Sequence, residues 1–165
     1  MKADSVNRWL TLVANFGVLI GIILLLVELD QTTTMMRAQT RHEITSGLVD
    51  LLRDVASNDQ LAGVMRRAES GEDLSPDELL QYRVRSLAMF RYWEDVHYQY
   101  RVGLYDEIEF ATQKLAWKSY QPKAFVDVWC RTRTQYSPKF VQEVDSLFDL
   151  SRCGTSQGLL DTSEL

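Results

Sequence analysis

The chain is poor in residues that interrupt helices, with three prolines and eight glycines in 165 residues. Leu, Ala, Glu, Arg and Gln are common instead, so the local bias is helical. No β-hairpin signal, internal repeat or low-complexity tract breaks this pattern. Cysteine is scarce as well. Cys130 and Cys153 are the only two, which is neither a disulfide framework nor a zinc pattern. They read as unpaired thiols in a reducing compartment; the alternative is one disulfide between the last helix pair and the tail. Positive charge is not in excess. The 18 Lys and Arg stand against 23 Asp and Glu, a net charge of −5 with the signs interspersed. A nucleic-acid partner, which needs a basic face, is not expected. Nor is an acidic disordered tail.

Catalytic motifs are missing too. There is no Gly-rich phosphate loop and no G-x-S-x-G elbow, and neither cysteine has a histidine near it in sequence. His42 and His97 are the only histidines. Glu94-x-x-His97 has the spacing of half a carboxylate-bridged di-iron site. No second such motif exists, and His42 lies apart in Arg41-His42-Glu43, so a di-iron monomer is not expected. No cofactor, metal or catalytic residue is therefore assigned.

One long apolar run is present, from Trp9 to Leu29, uncharged until Glu28 and with Asn15 as its only strongly polar residue. A membrane-crossing helix needs about 20 such residues. No small-x-small cleavage motif follows, so the run reads as an uncleaved anchor rather than a signal peptide. Lys2, Arg8 and the amino terminus precede it, and Arg37 and Arg41 follow, so the positive-inside rule is close to a tie. The unpaired cysteines favour a cytoplasmic soluble domain at an inner membrane. Within the run, Gly17 and Gly21 form a GxxxG that leaves a flat strip for another helix. Asn15 is expected to hydrogen-bond across that interface. Glu28 marks the edge of the span, or a ring of carboxylates in an oligomer.

The pattern divides the chain into an N-terminal flank (1–8), a transmembrane helix (9–29), a stalk helix entering a bundle (30–56), a soluble helical bundle (57–151) and a mobile tail (152–165). Ile44, Leu48, Leu51 and Val55 share one face of the stalk. Ser57-Asn58-Asp59 stops it, and a short helix follows with Leu61, Val64 and Met65 inward. Ser75-Pro76-Asp77-Glu78 is a capping box with proline at the first helical position; its helix runs to about Val102, before Gly103. Asp106 caps the next, with Ile108, Ala111 and Leu115 inward and Trp117 at its end. Pro122 opens another, with Phe125, Val126 and Trp129 inward. Ser137-Pro138 starts the last, with Phe140, Val141, Val144, Leu147 and Phe148 inward. The fold class is all-α.

The densest polar and aromatic stretch is Phe90 to Arg101. Helical spacing brings Arg91, Glu94, His97, Tyr98 and Arg101 near one another. Glu94 and His97 are expected to form a hydrogen-bonded pair flanked by the arginines, fixing how this helix docks. The alternative is a ligand pocket lined by Tyr92, Trp93, Tyr98 and Tyr100.

Several short motifs follow one another along the chain: a Val-Glu-Leu-x-Gln-Thr junction, Met36-Arg37-Ala38-Gln39-Thr40, Leu74-Ser75-Pro76-x-Glu78, Tyr98-Gln99-Tyr100, Gly103-Leu104 and Ser137-Pro138-x-Phe140. In this order the chain resembles a widespread group of uncharacterised bacterial single-pass membrane-anchored helical proteins. That group commonly has an arginine just after the span, where Asp30 stands here. The resemblance implies fold and location, and no activity. The expected function is a non-enzymatic oligomerisation or docking protein, an accessory to a larger inner-membrane assembly. Its expected partners are membrane lipid and copies of itself or other membrane-protein subunits. Alternatives are a small homo-oligomeric pore lined by Asn15 and Glu28, and a ligand sensor or enzyme built on a Glu94/His97 pocket.

Overall fold

The computed structural model describes residues 2–155, and every regular element among them is helical. The helices are α1 (Lys2–Ala56), α2 (Asp59–Ser70), α3 (Pro76–Arg101), α4 (Glu107–Ser119), α5 (Lys123–Thr132) and α6 (Pro138–Asp145). Short 3-10 turns follow α5 at Arg133–Gln135 and close the described chain at Leu150–Thr155. The chain divides into two compact units, one up to Gln39 and one from Thr40 onward.

In the first unit α1 runs without interruption, because nothing in it breaks a helix. Among the described residues, none in its apolar window is buried. Trp9, Phe16, Leu24, Leu25 and Leu26 are all more than half exposed. After Glu28 the Thr32 and Thr33 hydroxyls donate to the Glu28 and Leu29 carbonyls, at 2.8 and 2.9 Å. The hydroxyls are thus satisfied within the helix.

In the second unit the last part of α1 joins the core. Thr40 and Ile44 are buried, and Gly47 faces the Tyr92 ring. The core is dominated by aromatics: Phe90, Trp93, Phe110, Trp117, Phe125, Trp129, Tyr136, Phe140 and Phe148. Phe90 lies within 6.4 Å, centroid to centroid, of five of these rings, and stacks on Phe125 at 4.3 Å. Trp93 stacks on Trp117 at 4.9 Å. Offset and edge-on ring pairs of this kind add to the gain from burial alone.

The helix boundaries follow the chain's local chemistry. Asn58 caps α2 through the Leu61 N–H, and both halves of the Ser75/Glu78 capping box form. Asp106 accepts from the Ile108 and Glu109 N–H groups. Gly71 and Gly103 end α2 and α3 at φ of +78° and +80°, a conformation that glycine adopts without strain.

Three expectations are corrected. Ile108, Ala111 and Leu115 do not face inward: Ile108 and Leu115 are 78% and 69% exposed. Phe110 and Trp117, seven residues apart, turn the other face of α4 into the aromatic core, where they bury more surface. Ser137 precedes Pro138 as expected, but its side chain makes no capping bond. The third concerns the tail. Residues 152–155, expected to have no regular structure, belong to the 3-10 turn Leu150–Thr155, and Cys153 links that turn to Cys130. Residues 156–165 of the expected tail lie outside the described residues.

Candidate functional site

The polar cluster expected on α3 divides around the helix. Arg91 and Glu94 pair at 2.7 Å. Arg91 also donates to the Gln135 carbonyl at 3.1 Å and lies 4.3 Å over the Tyr136 ring. The other Glu94 oxygen accepts the Ser137 N–H at 2.8 Å. A carboxylate from α3 thus accepts the N–H of the residue that precedes α6, as the carboxylate of a capping box does, while the bond expected of the Ser137 side chain is absent. Burial acts to raise the Glu94 pKa, but the Ser137 N–H and the Arg91 guanidinium outweigh it and hold the carboxyl below its usual range.

His97 does not join this pair. It is buried at 4% exposure, between the Phe110 ring at 6.0 Å and the Phe140 ring at 5.7 Å. Burial lowers its pKa, and the Arg101 and Lys114 charges add to that; Glu143, and more weakly Glu94, oppose it. Tyr98 and Arg101 are exposed, and Tyr100 stacks on Phe110 at 4.1 Å. The expected Glu94–His97 pair is therefore replaced by a capping carboxylate and a core imidazole. A three-residue spacing, about one helical turn, did not suffice, because different neighbours pack against each side of α3. Among the described residues no group of three or more His, Cys, Asp or Glu side chains could hold a metal ion.

The second unit holds a cavity of about 870 Å³, open to solvent. Its walls come from Leu48, Leu52 and Val55 of α1, Met65 of α2, Met89 and Trp93 of α3, Trp117 of α4 and Phe125 of α5. Arg66, Glu69 and Ser70 are exposed, so they form its rim; Arg85, Ser86, Trp93, Trp117 and Phe125 are buried. Its size and apolar lining are those of small-molecule sites, which span about 300–1,000 Å³. Tyr92 and Trp93, two of the aromatics expected to line a pocket, do line it. Tyr98, Tyr100, Glu94 and His97 do not.

Arg85 was not singled out from the sequence. It is 8% exposed, and its Nη2 donates to the Leu51 carbonyl at 2.8 Å. Among the described residues its Nε has no hydrogen-bond partner, and neither do the Tyr92 hydroxyl and the Trp117 indole N–H. Gln113 approaches the Tyr92 hydroxyl without closing a hydrogen bond. Burial lowers the Arg85 pKa against the opposing influence of Tyr120 and Asp54, and pushes that of Tyr92 up to about 12. The Tyr120 hydroxyl bonds the Glu69 carboxylate. A sequence signal did exist: Arg85 is in register with Met89, Tyr92 and Val96, a charge within an otherwise inward row.

In the first unit, the 3.6-residue turn of α1 sets the faces. Gly17 and Gly21 share a strip with Ala14 and Glu28, whereas Asn15 lies about 160° from Gly17 and about 140° from Glu28. Asn15 therefore belongs neither to the glycine strip nor to one path with Glu28. A Cβ at Gly17 or Gly21 would meet nothing within 4 Å.

Cys130 and Cys153 form a disulfide, with their Cα atoms 5.3 Å apart. The expectation of unpaired thiols is corrected. The aromatic core packs α5 against the turn at Leu150–Thr155, which brings the two cysteines together.

No family model, curated protein or solved structure shows significant similarity to this chain.

Proposed function

We propose that the chain is a single-pass membrane protein, anchored through residues 9–29, whose helical bundle acts as a docking module rather than an enzyme. The observation that carries this reading is the contrast within α1. The apolar run has no protein surface to bury it, while Ile44 on the same unbroken helix belongs to a packed core. A bare run of aliphatic side chains is stable when lipid covers it. The helix continues past Glu28 with no cleavage motif, which favours an anchor over a removable signal.

The disulfide alters the expected orientation. Free thiols were the ground for a cytoplasmic domain, and those thiols are paired. Disulfides persist in oxidising compartments. We therefore place the bundle on the non-cytoplasmic side, with Lys2 and Arg8 on the cytoplasmic side in keeping with the positive-inside rule. Self-association through Ala14, Gly17 and Gly21 supplies the oligomerisation, since small residues let two helix backbones approach closely.

Membrane fractionation of the full chain tests the anchor. It should pellet with membranes and resist alkaline extraction; release into the alkaline supernatant overturns the reading. A membrane-impermeant thiol reagent, applied to intact cells after mild reduction, should label Cys130 and Cys153. Labelling only after lysis places the bundle on the cytoplasmic side.

A further inference from the structure

We infer that the cavity of the second unit binds a free, uncharged molecule that is mostly hydrocarbon, and that it does so through apolar contact alone. All of its lining residues lie between Leu48 and Phe125, so the site does not rest on the reading of residues 9–29 as an anchor.

Three polar atoms of the wall are turned away from the space. Arg85 Nε, the Tyr92 hydroxyl and the Trp117 indole N–H have essentially no accessible surface, although their residues line the cavity. What Tyr92 and Trp117 present to it is ring carbon. Arg85 Nη2 is committed to the Leu51 carbonyl, and the Ser86 hydroxyl donates to the Tyr82 carbonyl, both at 2.8 Å. The other charged lining residues, Arg66 and Glu69, sit at the exposed rim with opposite signs, and Glu69 is engaged by the Tyr120 hydroxyl. A charged group drawn inside would give up its hydration without a dedicated partner. An uncharged one gives up little.

The apolar surface, by contrast, is left uncovered. Leu48, Leu52 and Val55 share one face of α1 and line the cavity with Met65 and Met89. Leu52 is still 56% exposed. The Arg85–Leu51 bond and the Gly47–Tyr92 contact fasten α1 to α3 without closing the space between them. That space, about 870 Å³, has room for on the order of 30 water-sized groups. It is the size of a site for a whole molecule. Water in it meets few polar partners, and hydrocarbon that displaces the water is favoured. The two methionines adapt to the shape of what enters.

The test follows contact quenching of Trp93 and Trp117, which line the cavity, in the full chain carrying Trp9→Phe and held in nanodiscs of zwitterionic phospholipid. Trp129 is not a lining residue and remains as the unquenched reference. The probes are bromohexanol, bromooctanol and bromodecanol, each brominated at the chain end, with the free concentration measured in the aqueous phase. Quenching should saturate, and affinity should rise about fourfold for each added methylene. Bromooctanoate should bind more weakly than bromooctanol. Ala62→Phe, which places a ring in the cavity wall, should weaken bromooctanol by about tenfold or more. Four results would overturn the site: quenching that does not saturate, an affinity unchanged by Ala62→Phe, bromooctanoate binding as tightly as bromooctanol or more tightly, or quenching by a brominated phospholipid of the disc, which would assign the cavity to a bilayer lipid tail. If Ala62→Phe loses its near-ultraviolet circular dichroism, Ala116→Phe on the α4 wall replaces it; an unchanged affinity there counts against the site.

Discussion

Residues 9–29 and the core from Thr40 onward are both strongly apolar, yet they use different side chains. Apart from Trp9 and Phe16 the large apolar side chains of the run are aliphatic, and they stay exposed. The core rests on aromatics: Trp117, Trp129, Phe90, Phe125 and Phe140 are all essentially fully buried. Aromatic rings gain most from fixed partners at defined angles, which only the chain's own helices provide. Aliphatic side chains need nothing more specific than an apolar surrounding. The comparison shows two solutions to the same hydrophobic demand, one met by packing and one left for the environment.

The largest test of that comparison is Phe90→Ala. It should destabilise the core by about 3–5 kcal/mol, seen as a lower urea midpoint, and should leave membrane pelleting intact. If pelleting is lost as well, the two regions are not independent. Replacing both cysteines by serine should cost about 3 kcal/mol for a 23-residue separation, read from the same denaturant curve, and again spare membrane pelleting. Glu94→Ala removes the cap on the Ser137 N–H and the Arg91 partner. It should destabilise by about 1–3 kcal/mol through α6, seen as a lower urea midpoint; an unchanged midpoint would show that this carboxylate does not hold α6 to α3.

Acid should act on the core and not on the run. His97 has a lowered pKa, so the unfolded chain takes up its proton first as pH falls. Its contribution to stability is complete above the ordinary histidine value of about 6.5 and is lost as pH drops through that value toward the folded pKa. Glu94, with a lowered carboxyl pKa, loses its contribution only in a more acidic window, below the ordinary carboxylate range. In His97→Phe the midpoint should stay flat across the upper window; a slope that survives assigns it to another group. The smallest effect is expected from Ile108→Gln on the exposed side of α4, within about 0.5 kcal/mol by thermal or urea denaturation. A larger loss would show that this face is covered in the native assembly.

Much of the fold is legible in the sequence because its signals are local. Asn58, the Ser75/Glu78 box, Asp106 and the two stop glycines act through backbone groups a few residues away, so no distant neighbour is needed to read them. The inward rows of α5 and α6 are equally plain, since Phe125, Val126, Trp129, Phe140 and Val144 leave one choice of face. On α4 two faces compete. Its aliphatic row and its Phe110/Trp117 row are both apolar, and the sequence by itself does not say which meets the core.

The candidate site is the least legible part. Arg85 looks like any helical arginine until Leu51 of α1 and the walls of α2 and α4 close around it. The attention drawn by Glu94 and His97 was misplaced for the same reason. Their spacing is a property of one helix, while their partners, Ser137 for Glu94 and Phe110 and Phe140 for His97, arrive from α4 and the α6 region. The sequence by itself determined the helices, their ends and the single long apolar run, because propensity, capping and run length are set by near neighbours along the chain. Only the tertiary structure decided which face of α4 is buried, that Cys130 meets Cys153, and that Arg85 is buried beside an apolar cavity with an unmet donor. Each of those depends on groups far apart in sequence, whose meeting is settled by how the aromatic core packs.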